Sequence, residues 1–424
     1  MKYKAYTLKN FRQIPQIGKL SKEQQFDIEV VGAVLPFKTN NYVVNELIDW
    51  DNFSTDPSYI LTFPQRDMLS TDRYNRMARM LTIGASRSEI TKVANQIRME
   101  LNPNPAGQAN NVPELNGEKL MGIQHKYRET MLFFPTQGQT CHAFCTFCFR
   151  WPQFTGIDEL KFAMKQVEHV IGYLKINPQI TDLLFTGGDP MVMKTRIFKK
   201  YIDALLDANL PNLRTIRIGT KTLTYWPYRY ISDNDAPDLL DVFRSITNKG
   251  INLSIMAHFN HLNELSTPAV KQAVLKIRET GAIIRTQSPL MKHLNDNAQM
   301  WAQMWRKQVD MGMVPYYMFI ARETGSKDYF AVTLEEAWNI YRDAYSQVSG
   351  VCRTVRGPSM SAAPGKVQVL GISKIKNQKV FVLNFIQGKD PNWVGIPFFA
   401  KYDPKALWLD DLTPAFEDNF FYQQ

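Results

Sequence analysis

The 424-residue chain predicts an α/β fold whose middle is a parallel sheet curled into a partial or full barrel. Three observations carry this. From about residue 125 to 350, short apolar strands alternate with helix-length amphipathic segments. The alternation makes six strand–helix units, the size that joins parallel strands through right-handed crossovers. The composition, 44% apolar and 21% charged, belongs to an ordinary folded protein rather than a disordered one, and the length points to two or three domains.

Taken in order, residues 1–115 read as an N-terminal helical region, with helices at 21–31 and within 72–101, interrupted by Pro36, Pro57 and Pro64. Residues 102–113, rich in Asn and Pro, read as a linker. Residues 116–350 hold the barrel units: strands at 130–135, 181–186, 215–219, 252–257, 282–286 and 314–320. The helices between and after them fall at 159–175, 194–208, 236–249, 266–279, 297–311 and 333–348. Residues 351–424 form a C-terminal extension with two short strands, 366–370 and 379–384, and an aromatic, acidic tail over 416–424. In such barrels the chemistry sits on the loops after the strand C-terminal ends.

Fifty basic against forty acidic residues leave a net charge of +10. The charges are interspersed, which fits an anionic small molecule better than nucleic acid. No apolar run approaches the roughly 18 residues of a membrane span, and the first residues lack a signal peptide's apolar core. The expectation is a cytoplasmic protein without a membrane partner. Four cysteines are too few for a disulfide scaffold, and three lie within eight residues, as a metal site in a reducing compartment would have them.

That cluster, Cys141-His-Ala-Phe-Cys145-Thr-Phe-Cys148, follows the first barrel strand. Its thiolates can wrap around one compact soft-metal centre. A closed zinc site wants four ligands, whereas a [4Fe–4S] cube held by three cysteines keeps one iron open for a ligand. The alternatives are three cysteines packed in a loop, or zinc completed by His142 or the distant Cys352, which otherwise reads as a buried thiol. After the second strand, Gly187, Gly188 and Asp189 put bare backbone and a carboxylate where a ligand with an ammonium group could approach.

The cysteine spacing, together with Gly187-Gly-Asp-Pro190, resembles the radical S-adenosylmethionine superfamily. There the open iron chelates S-adenosylmethionine, and reductive cleavage yields a 5′-deoxyadenosyl radical. Further segments resemble the lysine 2,3-aminomutase family across residues 45–390. They are Gln124-His-Lys-Tyr127, Arg217-Ile-Gly219, His258-Phe-Asn-His261, Thr286-Gln-Ser288, Leu294-Asn-Asp296 and Pro315-Tyr-Tyr317. The resemblance implies a radical S-adenosylmethionine partial (β/α)6 TIM-like barrel and an isomerase that moves an amino group from Cα to Cβ with the help of pyridoxal phosphate. It implies that Cys141, Cys145 and Cys148 hold the cluster, and that Gly187, Gly188, Asp189, His258 and Gln287 lie near S-adenosylmethionine. By the same resemblance Arg150 clamps the substrate α-carboxylate, which suits a guanidinium fork. Lys366 is then the pyridoxal lysine and Lys126 helps hold the phosphate. An electron donor such as flavodoxin or ferredoxin, and a homo-oligomer, are implied as well.

The chain departs from the family in four ways. One glycine precedes Lys366 where the family has several, and Thr130 stands where the family has a basic residue. The two carboxylates that hold a lysine side chain are replaced by Arg322 and Ala362. The family's C-terminal zinc cysteines are missing: Asn297 follows Leu-Asn-Asp, and no cysteine follows Cys352. An ammonium group facing Arg322 would be repelled, so the expected substrate is an acidic amino acid, glutamate or aspartate, pairing with Arg322 at one end and Arg150 at the other. The alternatives are a related radical enzyme with a lost or altered pyridoxal step (another mutase, a lyase or a peptide-modifying enzyme), and a non-catalytic iron–sulfur sensor.

Overall fold

In the computed structural model residues 1–423 are described; Gln424, the last residue of the predicted C-terminal extension, lies outside the described residues. The strands are β1 (Ala5–Thr7), β2 (Lys38–Asn40), β3 (Glu114–Leu115), β4 (Glu118–Lys119), β5 (Ile123–Tyr127), β6 (Thr130–Phe133), β7 (Asp182–Phe185), β8 (Thr215–Thr220), β9 (Asn252–His258), β10 (Ile283–Leu290), β11 (Val314–Ile320), β12 (Arg356–Ser361), β13 (Gly365–Ile375), β14 (Gln378–Gly388) and β15 (Pro397–Lys401). Strands β5 to β15 form one sheet in sequential order. It is parallel from β6 to β12 and antiparallel at both ends, so the chain is a mixed α/β protein built on one large sheet.

Between successive parallel strands run α5 (Val167–Ile176) and α6 (Thr195–Asp207), α7 (Thr222–Tyr225) with α8 (Ala236–Asn248), α9 (Pro268–Arg278), α10 (Ala298–Asp310), and α11 (Lys327–Phe330) with α12 (Leu334–Ser346). The period-two pattern of the strands decides which face the helices cover. Leu183 and Phe185, Ile216 and Ile218, Leu253 and Ile255, and Ile284 share one apolar core with Phe198, Leu205, Phe243, Ile246, Val274 and Ile277 of the helices. The alternate residues of those strands face the other way.

The N-terminal region is helical as expected. Ser21 caps α1 (Lys22–Val34), and Ser86 caps α4 (Arg87–Glu100), each through a reciprocal capping box. A short helix, α2 (Pro57–Thr62), and α3 (Thr71–Thr82) complete the region, whose apolar clusters around Trp50 and Met77 also take in Tyr225 and Trp226, and Trp151, Met291 and Phe330, respectively. The ribbon of β1 against β2 brings Tyr3, Lys38 and Asn40 beside residues 140–142.

Four expectations are corrected. The segment at 102–113 is no loose linker: Asn102 Nδ2 donates to the Glu323 carbonyl and the Ala106 amide to the Glu323 carboxylate, at 2.8 and 2.7 Å. The helix expected from 159 begins only at Val167, because Met164 pairs in extended form with Phe134 and Thr136. The two short C-terminal strands are an 11-residue hairpin pair, closed by Lys376 and Asn377, both at positive φ as a tight two-residue turn requires. Strands β12 and β15 on either side of that hairpin were not expected at all. Among the described residues no helix is long and apolar enough to cross a membrane.

Candidate active site

The strand faces turned away from the helices line a cavity of about 290 Å³. Leu184 and Thr186 of β7 and its following loop, Arg217 and Gly219 of β8, Met256 and His258 of β9, Gln287 and Pro289 of β10, and Tyr317 and Phe319 of β11 all border it, two residues apart in each case. Of the twelve residues singled out in the sequence, eleven line this one space: Cys141, Cys145, Cys148, Arg150, Gly187, Gly188, Asp189, His258, Gln287, Arg322 and Lys366.

The cysteine loop is stitched into the N-terminal region. Lys38 Nζ donates to the Cys141 carbonyl at 2.6 Å, and Tyr3 Oη and Asn40 Nδ2 donate to the His142 carbonyl. The Phe144 and Thr146 amides bond to the carbonyls of Lys38 and Leu61, and Ser326 Oγ reaches the Thr146 carbonyl. Burial raises all three thiols, Cys145 to about 11 and Cys148 to about 12; a soft metal would favour the thiolates that burial opposes. Among the described residues no three His, Cys, Asp or Glu side chains converge on one point as a single ion requires. Zinc completed by His142 or Cys352 is not what this arrangement offers. His142 is buried and tied through Nδ1 to Thr222 Oγ1 at 3.1 Å, and Cys352 is buried in the main core. A cube, which takes each thiolate on a different iron, suits three spaced thiols.

One expectation about the Gly187-Gly188-Asp189 turn is revised. Gly187 and Gly188 border the cavity, and neither has room for a side chain: a Cβ on Gly188 would lie 2.4 Å from the Thr140 carbonyl oxygen, and one on Gly187 (φ +135°) would strike the Gln139 amide. The glycines let this turn close on the cysteine loop. The Asp189 carboxylate is not free to meet an ammonium group. It accepts from the Met191 and Lys221 amides and from the hydroxyls of Thr220 and Thr222, at 2.8–3.0 Å. Those donors use the lone pairs a carboxylate has, so Asp189 ties the ends of β7 and β8 together.

His258 and Gln287 are register partners on β9 and β10, and the Gln287 amide donates to His258 Nε2 at 2.6 Å. Burial, then the charges of Lys221 and Arg150, lower the imidazole to about 3, so it is a neutral ring with an acceptor nitrogen. Lys221, which the sequence did not single out, reaches Glu264 and Asn260 at 2.7 and 2.6 Å in a nearly dry pocket.

Arg150 and Arg322 stand apart. Their guanidinium carbons lie 4.9 and 4.6 Å from the centre of the same Phe149 ring, hence within 9.5 Å of each other. Each keeps one Nη1 buried without a hydrogen-bond partner, and among the described residues neither forms an ion pair. Burial, then Arg322, lowers Arg150 to about 9, and burial lowers Arg322. Glu323, a neighbour of Arg322 in sequence, gives one oxygen to the Ala106 amide instead.

Lys366 opens β13, and Gly365 before it has no room for a side chain: a Cβ would lie 2.4 Å from the Gln387 carbonyl. The lysine amine donates to Gln387 Oε1 at 3.0 Å and sits 4.1 Å from the centre of the Tyr317 ring. Burial, then the charges of Arg217 and Arg356, hold it well below the ordinary lysine range. Lys126, expected beside a phosphate, is not among the lining residues. Its ammonium bonds the Ala362 carbonyl, and burial with Arg322 and Lys389 lowers it to about 7. Asn297, where the family has a zinc cysteine, instead caps α10 by accepting from the Met300 amide. Phe149 and Lys221 carried no pattern of their own; adjacency to Arg150 and a place just past a strand end were their only signals.

The resemblance seen in the motifs extends over the chain. It is 29% identical over 407 residues to a protein of Aquifex aeolicus provisionally named L-lysine 2,3-aminomutase, covering 96% of this chain and 95% of that one. It is 24% identical to the L-lysine 2,3-aminomutase of Clostridium subterminale over 70% of this chain and 68% of that one. It is 28% identical to the Escherichia coli enzyme of the same name over 54% and 63%. The chain is a homologue of proteins named lysine 2,3-aminomutase. No protein-family model matches it. Among solved structures, Streptococcus suis SuiB bound to precursor peptide SuiA aligns at 12% identity and a TM-score of 0.35, over 61% of this chain and 51% of that one, a likeness too loose to bear on the fold.

Proposed function

We propose that the chain is a radical S-adenosylmethionine, pyridoxal phosphate-dependent 2,3-aminomutase whose substrate is an acidic α-amino acid, glutamate first. The large sheet in this reading curls as a partial (β/α)6 barrel around the cavity, which the shared lining by alternate residues of β7 to β11 supports. The observation that carries the substrate is the pair Arg150 and Arg322, half-buried and each with a buried Nη1 that lacks a hydrogen-bond partner, in the space shared with the three cysteines and Lys366. A buried guanidinium is tolerated where a counter-charge meets it. Two of them facing one cavity fit a molecule with two carboxylates, and neither would accept an ammonium.

The residues divide the task. Bound at Cys141, Cys145 and Cys148 and at Lys366, the cluster with S-adenosylmethionine and the pyridoxal group would supply the hydrogen-abstracting radical and the carrier of the migrating amine. Arg150 binds the α-carboxylate and Arg322 the side-chain carboxylate, each as a planar fork. Both guanidinium groups approach the Phe149 ring, which gives them a common aromatic neighbour. Lys366, whose proton burial and the neighbouring arginines make easier to lose, can act as a nucleophile toward a carbonyl. The Gln387 side-chain oxygen takes one of its N–H groups and so orients its lone pair. The rings of Phe147, Phe149, Tyr317 and Phe319 keep water from a radical. Glycine room for a phosphate is smaller here than in the family, and Arg217 and Arg356 beside Lys366 are cations that could serve it. An electron donor of the flavodoxin or ferredoxin class, a homo-oligomer and a reducing, cytoplasmic setting complete the reading.

The test is one anaerobic assay of reconstituted protein with reductant, S-adenosylmethionine, pyridoxal phosphate and single amino acids, read by mass spectrometry. The expected products are 5′-deoxyadenosine and the β-isomer of glutamate or aspartate, with lysine inert. A β-isomer from lysine would overturn the Arg322 argument. Deoxyadenosine without any β-isomer would leave the radical and move the reading to an altered pyridoxal step. Neither product from cluster-loaded protein would favour the sensor.

A further inference from the structure

Among the described residues, Cys145 is the one member of the cysteine trio with a side-chain hydroxyl in reach: Tyr225 Oη lies 3.5 Å from its Sγ. Tyr225 closes the four-residue helix α7 that follows β8, is 2% exposed and borders the cavity. It is held from three sides. Its carbonyl accepts from Asn40 Nδ2 at 2.9 Å, its amide bonds the Lys221 carbonyl, and the Lys221 ammonium lies 4.5 Å from the centre of its ring. Lys221 is itself anchored on Glu264 and Asn260. The hydroxyl has no other hydrogen-bond partner among the described residues, so it stays aimed at the sulfur.

In the metal-free protein the thiol is the donor and the phenol oxygen the acceptor. An iron-bound thiolate has lost that proton and can only accept, so the hydroxyl then becomes the donor. Resting on the cluster reading above, we propose that Tyr225 is a positioning residue that raises the reduction potential of the cluster by donating its hydroxyl to the Cys145 thiolate. Reduction adds one electron to the cluster, and part of that charge falls on the cysteine sulfurs. A hydrogen-bond donor stabilises the more negative state more, and does so strongly where water is absent. Cys148 has only the backbone amide of Arg150 as donor, and the Lys38 ammonium acts on the carbonyl of Cys141 rather than its sulfur. The effect of Tyr225 is therefore local to one corner of the cluster.

The experiment compares the full chain and Tyr225→Phe, each reconstituted anaerobically with iron and sulfide and titrated against redox mediators without substrate, the reduced cluster being counted by electron paramagnetic resonance. Equal iron and sulfide content is expected, because the variant keeps the ring and its packing. At a fixed potential the reduced-to-oxidised ratio should fall several-fold to about tenfold, tenfold being about 59 mV for one electron. As a second readout, after exchange into deuterated water the reduced wild-type cluster should couple to one strong exchangeable deuteron that the variant lacks. An unchanged ratio with an unchanged deuteron signal overturns the inference. A variant that loads only partly is judged by the same two readouts on its loaded fraction. If the wild type takes up no iron and sulfide, the cluster reading itself falls and this inference with it.

Discussion

Two sets of polar groups border the same cavity and differ in how they are satisfied. Around the ends of β7, β8 and β9 three polar groups are each answered by the protein: Asp189 by four donors, Lys221 by Glu264 and Asn260, His258 by Gln287. Around Phe149 the groups are left open: Arg150 and Arg322 each keep a buried Nη1 without a hydrogen-bond partner and form no ion pair among the described residues, and the Lys366 amine meets only an amide oxygen and aromatic faces. The first set is complete before any ligand arrives and so reports on folding. The second is complete only with a ligand and so reports on what that ligand is. A buried polar network is stabilising when every member is satisfied and destabilising when one is not, and the chain keeps both kinds within one space.

The sharpest way to break this contrast is at the cysteines, which belong to neither set. Cys145→Ala should abolish both iron–sulfide uptake and 5′-deoxyadenosine formation, read by metal analysis and mass spectrometry; retained turnover would sink the central reading. Next comes the unanswered set. Arg322→Asp should lower kcat/KM for glutamate by roughly thirtyfold to several thousandfold, the equivalent of about 2–5 kcal/mol for truncating one partner of a buried charge pair. S-adenosylmethionine binding, followed by calorimetry, should barely change; unaltered glutamate turnover would show that Arg322 does not meet the substrate. The smallest effect on activity, and the clearest on stability, belongs to the answered set. Asp189→Ala leaves two hydroxyls and two amides unpaired and should lower the unfolding free energy by about 3 kcal/mol, measured by urea denaturation of the cluster-free chain. A variant that kept full stability but lost affinity for S-adenosylmethionine would put Asp189 on the ligand after all.

Much of the frame was legible in the sequence. The strand at residues 314–320 and five of the six helices expected between or after the strands agree with the structure to within two residues at either end, because apolar periodicity over ten or more residues is a local signal. The helix expected from 159 failed where a long-range pairing, Met164 with Phe134, overrode the local pattern. The strand Arg356–Ser361 was missed because Arg-Gly-Pro-Ser-Met-Ser has neither apolar alternation nor β-branched residues; it forms because β11 and β13 flank it. In the site, residue types, spacings and the family resemblance together pointed to eleven of the residues that line the cavity, but not to which of them the protein itself satisfies.

The family resemblance brought out the exchange of carboxylates for Arg322 and Ala362, whereas composition and order of residues by themselves determined the strand–helix alternation and the three-cysteine loop. These are properties of neighbours along the chain. Only the tertiary structure decided that Asp189 is used up by Met191, Thr220, Lys221 and Thr222, that Arg150 and Arg322 share one ring yet form no ion pair among the described residues, and that Tyr225 faces a sulfur 80 residues away. Whether a polar group is satisfied depends on partners brought together by closure of the fold, and no spacing in the sequence carries that information.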